Sequence, residues 1–269
     1  MEIDEFLTRI SVSDATPTIF RISERTELDE FSRESKGTLK GIWSHTNTTD
    51  RAITVSGFII YDKPFPEQIF AIPSGDLRNV LAETERVEIR GSYLLGYGEM
   101  DFQFKLEIMN AGKGLHLTYD NPDVFLTKEM IKKIIKIDRY IDSVNAFVDA
   151  DGKSLSIRLE NRNGNSGKVT MESDFPEFHA RFEKRFVECL KLVGDNDATL
   201  NLDGYDSKRE HKAHGLGRIQ VRDTNAIITY YMNEITQKVQ EQKKSKKSKD
   251  AEPGNNDDVQ AKIDEIPEA

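Results

Sequence analysis

The chain has 269 residues, a formal net charge of −9, 32% charged residues and 37% hydrophobic residues. That length allows two domains with sizeable cores, and no apolar run approaches the ~18 residues of a membrane span. The acidic start Met1-Glu-Ile-Asp-Glu-Phe-Leu7 lacks the basic and apolar regions of a signal peptide. Cys189, the single cysteine, has apolar neighbours, so it reads as a small buried side chain in a reducing, intracellular and non-secreted setting.

At the N-terminus Ile3, Phe6, Leu7 and Ile10 fit one helical face, and Glu27–Ser35 could form a second helix anchored by Leu28 and Phe31. The pattern alone does not say which of the two belongs to the first core. Thr18–Ser23, Gly37–Ser44, Ala52–Tyr61 and Gln68–Ile72 have the β-branched and aromatic content of strands. A short helix follows Ser74, its expected N-cap, with Leu77, Val80 and Leu81 facing inward. Arg86–Arg90, Ser92–Leu95, Phe102–Met109 and Leu115–Tyr119 return to strand character, and Asn121-Pro122-Asp123 breaks it.

The next segment, Thr127 to Ile141, has the clearest pattern in the chain. At 100° per residue Met130, Ile131, Ile134, Ile135, Ile137 and Ile141 gather on one side. Lys128, Lys132, Lys136 and Arg139 occupy roughly an 80° arc opposite, with Lys133 at its edge. A cationic stripe on an acidic body suits a site built for one polyanion. Val144–Val148 and Ser154–Glu160 then read as a hairpin about Asp149–Gly152, and Lys168–Glu172 as a further strand after the turn Asn161–Gly167. Phe178, Ala180 and Phe182 alternate with polar residues, as in a half-buried strand. Arg185–Val193 is a short helix stopped by Gly194, and Thr199–Leu202, Gly217–Arg222 and Ala226–Met232 complete the sheet. From Gln237 onward apolar residues nearly vanish. The basic run Lys243–Lys249 and the acidic segment Asp250–Ala269 read as a disordered charged tail. The expected organisation is therefore α+β, with similar halves at 1–120 and 121–236 and a tail at 237–269.

Three motifs fail on chemistry. Gly164-Asn-Ser-Gly-Lys-Val-Thr170 has Arg162 where a phosphate loop needs glycine, Val169 where it needs Ser or Thr, and strand where it needs helix. Asp149–Glu160 places Lys153 and Ser154 where a calcium loop needs an oxygen ligand and glycine. His211 and His214 have no cysteine near them and stand in a charged, Gly-rich loop. No metal or cofactor is expected and nothing picks out a catalytic pair, which weighs against an enzyme without excluding one.

Two binding functions remain. A single-stranded DNA-binding protein would suit the acidic tail and the aromatics from Tyr93 to Phe104, but that stretch holds no Lys or Arg and includes Glu99 and Asp101. A ring around duplex DNA needs only modest phosphate contacts on a helix-lined inner face, and its outside can be acidic. On Phe125-Leu-Thr-Lys-Glu-Met-Ile-Lys-Lys-Ile-Ile-Lys-Ile137, Ala146-Phe-Val-Asp-Ala-Asp-Gly-Lys-Ser-Leu-Ser-Ile157, Phe178-His-Ala-Arg-Phe-Glu-Lys184 and Gly217-Arg-Ile-Gln-Val221, the second half resembles the DNA sliding clamps of tailed phages. More distantly it is similar to proliferating cell nuclear antigen. The first half is similar from Gln68 through Asp76–Leu81 to Val87-Glu-Ile89.

The resemblance implies two β-α-β-β-β-type domains per chain and a homotrimeric ring, acting as a polymerase processivity factor for a DNA polymerase and opened by a clamp loader, within a cell or an infected host. It implies that Lys128, Lys132, Lys133, Lys136 and Arg139 face DNA, with Arg185, Lys191 and Arg78 as weaker candidates. It also implies a partner-peptide pocket beside the inter-domain connector, at Leu117, Tyr119, Phe125, Ile228 and Tyr230. The Ser74 helix, taken as the first-half counterpart of the Thr127 helix, offers only Arg78 against Asp76, Glu83 and Glu85.

Overall fold

A computed structural model describes residues 1–12, 18–25, 39–48, 52–61, 69–108, 117–206 and 214–234. The possible helix at 27–35, His211 and the tail lie outside the described residues. Residues 1–235 form one compact unit.

The first half runs α1 (Ile3–Ile10), β1 (Thr18–Arg25), β2 (Leu39–Asn47), β3 (Ile53–Ile60), β4 (Phe70–Ile72), α2 (Ser74–Glu83), β5 (Arg86–Arg90), β6 (Tyr93–Tyr97) and β7 (Phe102–Lys105). Short β8 (Glu107–Ile108) and β9 (Leu117–Thr118) lead toward the second half. That half runs β10 (Val124–Leu126), α3 (Lys128–Ile141), β11 (Asn145–Ala150), β12 (Ser154–Glu160), β13 (Ser166–Glu172), β14 (Phe178–Glu183), α4 (Arg185–Val193), β15 (Ala198–Asp206), β16 (His214–Arg222) and β17 (Ala226–Asn233). The β12–β13 connection is a turn with Gly164 at φ +80° and the Asn161 side chain accepting from the Asn163 and Asn165 amides, so it forms no phosphate loop. At the β11–β12 turn Asp151 accepts from the Lys153 and Ser154 amides. That carboxylate closes a hairpin.

The sheets repeat one pattern. Four strands run in the order β13-β12-β11-β14, and the same order, β3-β2-β1-β4, appears within the large sheet. The trios β5-β6-β7 and β15-β16-β17 correspond likewise. By element order α1 is therefore the counterpart of α3, and α2 of α4. This corrects the pairing of the Ser74 helix with the Thr127 helix: strand order identifies counterparts, and the charge pattern of isolated helices does not. Ser74 is also the first residue of α2 rather than its cap. Pro73 holds the cap position, with no side-chain hydrogen bond.

Antiparallel pairing of β17 with β3, from Ala226↔Ile59 to Met232↔Ile53, joins the halves in one sheet. The helices pack in the order α2-α1-α4-α3, against the sheets. Phe6, Leu7 and Ile10 of α1, Ile131 and Ile134 of α3, and Phe186, Val187 and Leu190 of α4 are all buried in the core. Burying such side chains contributes about 1.5–3 kcal/mol each. This fixes the apolar side of each helix on the sheets and leaves the polar side outward.

Candidate nucleic-acid interface

The orientation of α3 follows from its ends and its floor. Thr127 caps the helix, its hydroxyl accepting from the Met130 amide at 3.3 Å, and the Asp197 carboxylate accepts from the Lys128 amide at 2.7 Å. Both satisfy N-terminal amides that would otherwise lack partners. Asp142 ends the helix in the left-handed region at φ 48°. Below, Ile137 lies so close to Gly167 of β13 that a Cβ there would sit 2.5 Å from its side chain. Glycine therefore lets the helix settle onto the strand.

With Ile131 and Ile134 buried, Lys128, Lys132, Lys133, Lys136 and Arg139 are all exposed, as the periodicity predicts. Lys132 meets the exposed Asp195 carboxylate at 2.9 Å, and that hydrogen bond raises its pKa. A pair this exposed is screened by solvent and weak, so the ammonium can exchange Asp195 for a phosphate.

The weaker candidates sit differently. Lys191 of α4 reaches Asp138 of α3 at 2.8 Å. Burial works to raise the Asp138 pKa, but hydrogen bonds from Lys191 and Ser143 outweigh it and hold the carboxyl below its ordinary value. This bridge ties α4 to α3. Arg185 pairs with Glu188 at 2.7 Å, one turn along its own helix. Arg78 is half-buried and lines a hollow of about 450 Å³ where α1, α2 and α4 meet, with Thr8, Val12, Leu81, Lys191 and Leu192. The structure thus gathers the α3 cations into one row and places Arg78 and Lys191 around a separate hollow.

The partner-pocket residues divide. Leu117 pairs with Asp206 through β9, and Phe125 is 58% exposed on β10 between buried Val124 and Leu126. The Tyr119 ring lies over Gly204, where a Cβ would come within 2.4 Å, and the Arg218 guanidinium stacks on it at 4.6 Å. Burial pushes the Tyr119 pKa up. Ile228 and Tyr230 are corrections. Both are fully buried, and the Tyr230 hydroxyl donates to the Arg9 carbonyl of α1 at 3.1 Å. Strand alternation turns them toward the helices, so Ile227, Thr229 and Tyr231 face the other way. The period-2 rule could have separated these two sets once the helix side was known.

No residue pattern points to Glu234. Its Oε1 accepts from the Asp203 amide at 2.8 Å, and burial pushes its pKa up to about 8. Asp203 itself has φ 61° at a break in the β15–β16 register. The aromatics considered for single-stranded DNA belong to β6 and β7. There Arg86 covers the Tyr97 ring at 4.7 Å and Phe104 packs against the core. Among the described residues no three His, Cys, Asp or Glu side chains gather as a metal site, and no helix is long and apolar enough to cross a membrane.

No protein-family model matches the chain. No curated protein matches it in sequence. Solved structures do match in fold. Proliferating cellular nuclear antigen from Entamoeba histolytica superposes with a TM-score of 0.61 at 12% identity, covering 87% of this chain and 96% of that one. A. fulgidus PCNA, solved with the C-terminal region of FEN-1 bound, gives 0.56 at 13% identity over 87% and 95%. The H. pylori β clamp gives 0.58 at 16% identity over 87% of this chain and 64% of that one. Single-stranded DNA binding finds no support in these matches. The chain has the mixed helix and antiparallel-sheet fold of the DNA sliding clamps.

Proposed function

We propose that this protein is a sliding clamp, a ring that encircles duplex DNA and tethers a DNA polymerase and its accessory factors without itself catalysing a reaction. The observation that carries the reading is the row of exposed cations on α3, set in a helix layer whose sheets repeat one strand order twice. Lys128, Lys132, Lys133, Lys136 and Arg139 face the phosphates. The halves correspond to domains at 1–120 and 121–236.

The repeat also supplies a route to the ring. Within the chain β17 pairs with β3. Their counterparts, β7 and β13, end their sheets without a further strand among the described residues. Pairing β7 of one copy with β13 of the next would reproduce the internal junction head to tail, a contact that closes into a ring when the rotation permits. Three copies place six halves around the duplex. Leu117, Tyr119 and Phe125, with the connector before β10, form the docking region for polymerase and clamp-loader peptides.

Light-scattering mass tests the assembly. A species three times 30.7 kDa is expected, and a stable monomer at high concentration would sink the ring. A loaded ring should remain on closed circular duplex and leave linear duplex over its ends. Tight binding to short single strands by a monomer would instead favour the single-strand reading.

A further inference from the structure

The charge on the helix layer is uneven. Together α1 and α2 hold four acidic residues (Asp4, Glu5, Asp76, Glu83) and two basic ones, while α3 and α4 hold seven basic and three acidic. The two basic residues of the first pair are both occupied in place. Arg9 is buried, donating to the Val193 carbonyl and pairing with Glu5, and Arg78 is half-buried at the hollow beside α1. Glu5 and Glu83 are exposed. The helix order α2-α1-α4-α3 therefore runs from an acidic side to a basic side.

The basic side ends in an unusual residue. Tyr140 is 79% exposed, more than any other exposed large hydrophobic side chain among the described residues. It lies one turn past Lys136 on the same side of α3, and in helical phase it falls between Lys136 and Lys133. An aromatic ring with a polar tip suits a surface that is apolar in one part and wet in another. The deoxyribose-phosphate edge of a duplex is such a surface.

We propose that the DNA track of this protein is one-sided: it runs along α3 from Lys128 to Tyr140, whose ring rests against the sugar of the strand that the lysines hold, while α1 and α2 form an acidic flank that makes no phosphate contact. This rests on the clamp reading above and narrows it. Neighbouring helices pack about 8–10 Å apart, so α1 stands about two spacings from α3. That exceeds the screening length of about 8 Å at 0.15 M salt but lies within the roughly 30 Å at 0.01 M. The flank therefore repels duplex at low salt and is almost silent at physiological salt. A track of this kind meets the duplex at one sector per chain instead of two, which keeps the grip weak enough to slide.

The test is equilibrium binding of the full chain to a fluorescent 30-base-pair duplex across a salt series. Lys133→Ala/Lys136→Ala should weaken binding about tenfold at the upper end of the series and lower the salt slope by about two. Tyr140→Ala should weaken binding several-fold with the slope unchanged, because the contact carries no charge, and Tyr140→Phe should restore it. Arg78→Ala should bind within twofold of the original chain at an unchanged slope. Asp4→Asn/Glu83→Gln should tighten binding at 0.01 M salt and not at 0.15 M. A loss with Arg78→Ala equal to that of the lysine pair, or full binding by Tyr140→Ala, overturns the one-sided track and leaves the clamp reading standing. Absence of any salt-dependent duplex binding by the original chain also overturns the track, whereas the clamp reading falls separately, on a stable monomer by light scattering.

Discussion

α1 and α3 occupy the same place in the two halves, each preceding a sheet of identical strand order, yet they use their polar sides differently. α1 has eight residues, no side-chain cap and a single basic residue, Arg9, which is buried and turned inward to the end of α4. α3 has fourteen residues, a threonine cap and five exposed cations. In α1 the charged side chain fastens the halves together. In α3 the apolar face and the buried Asp138 do the fastening, which leaves the lysines on the outside. Equivalent positions in a repeat can therefore carry opposite duties, and the burial of a cation tells them apart where its presence on a helix does not.

The largest expected effect separates those duties. Arg9→Ala removes the buried guanidinium's bond to the Val193 carbonyl at the junction of the halves and its pairing with the exposed Glu5, and should lower unfolding free energy by about 1–3 kcal/mol. Lys136→Ala removes only an exposed charge and should stay within about 0.5 kcal/mol of the original stability. Chemical denaturation of the two variants measures both. Comparable losses would erase the distinction drawn between α1 and α3.

A second contrast is carried by Glu234, at the far end of β17. Its carboxyl titrates near 4.5 when unfolded and near 8 when buried in the fold. Between those values the folded chain holds the extra proton. Its contribution to stability is therefore complete below pH 4.5 and is lost as pH rises toward 8, at up to about 1.4 kcal/mol per pH unit. Glu234→Gln keeps an acceptor for the Asp203 amide and removes the titration. Its stability should be flatter than that of the original chain across this window, as measured by denaturation midpoints at pH 5.5, 6.5 and 7.5. An unchanged slope would assign the pH dependence to other groups.

How far the sequence speaks depends on whether a signal is local. α3 was legible because its isoleucines and lysines separate cleanly at helical period, and α4 because an apolar stripe ends at Gly194. The strand pairs β11–β12 and β12–β13 were legible because Gly152, Asn161 and Gly164 mark their turns. The β17–β3 junction was not, since it joins residues more than 160 positions apart and leaves no local trace. The same gap explains Ile228 and Tyr230. Alternation shows that neighbours point to opposite faces, but only the position of α1 shows which face is buried. The Lys191–Asp138 bridge was equally out of reach, because the two residues lie on different helices, 53 positions apart.

The smallest effect concerns how α3 begins. Thr127 accepts from the Met130 amide, whereas Glu2 at α1 and Pro73 at α2 provide no such bond. Losing a threonine cap costs about 1 kcal/mol in typical proteins. Here Asp197 also accepts from the Lys128 amide, so part of the N-terminus stays satisfied after Thr127→Ala, and the loss should fall at or just below that figure. The double variant Thr127→Ala/Asp197→Ala should lose more than the two single variants together, because each cap limits fraying when the other is gone. Hydrogen exchange at Met130 and Ile131 reads that fraying directly. Strict additivity would mean that the two caps act on separate amides without coupling, and that the start of the cationic row is held chiefly by the burial of Ile131 and Ile134.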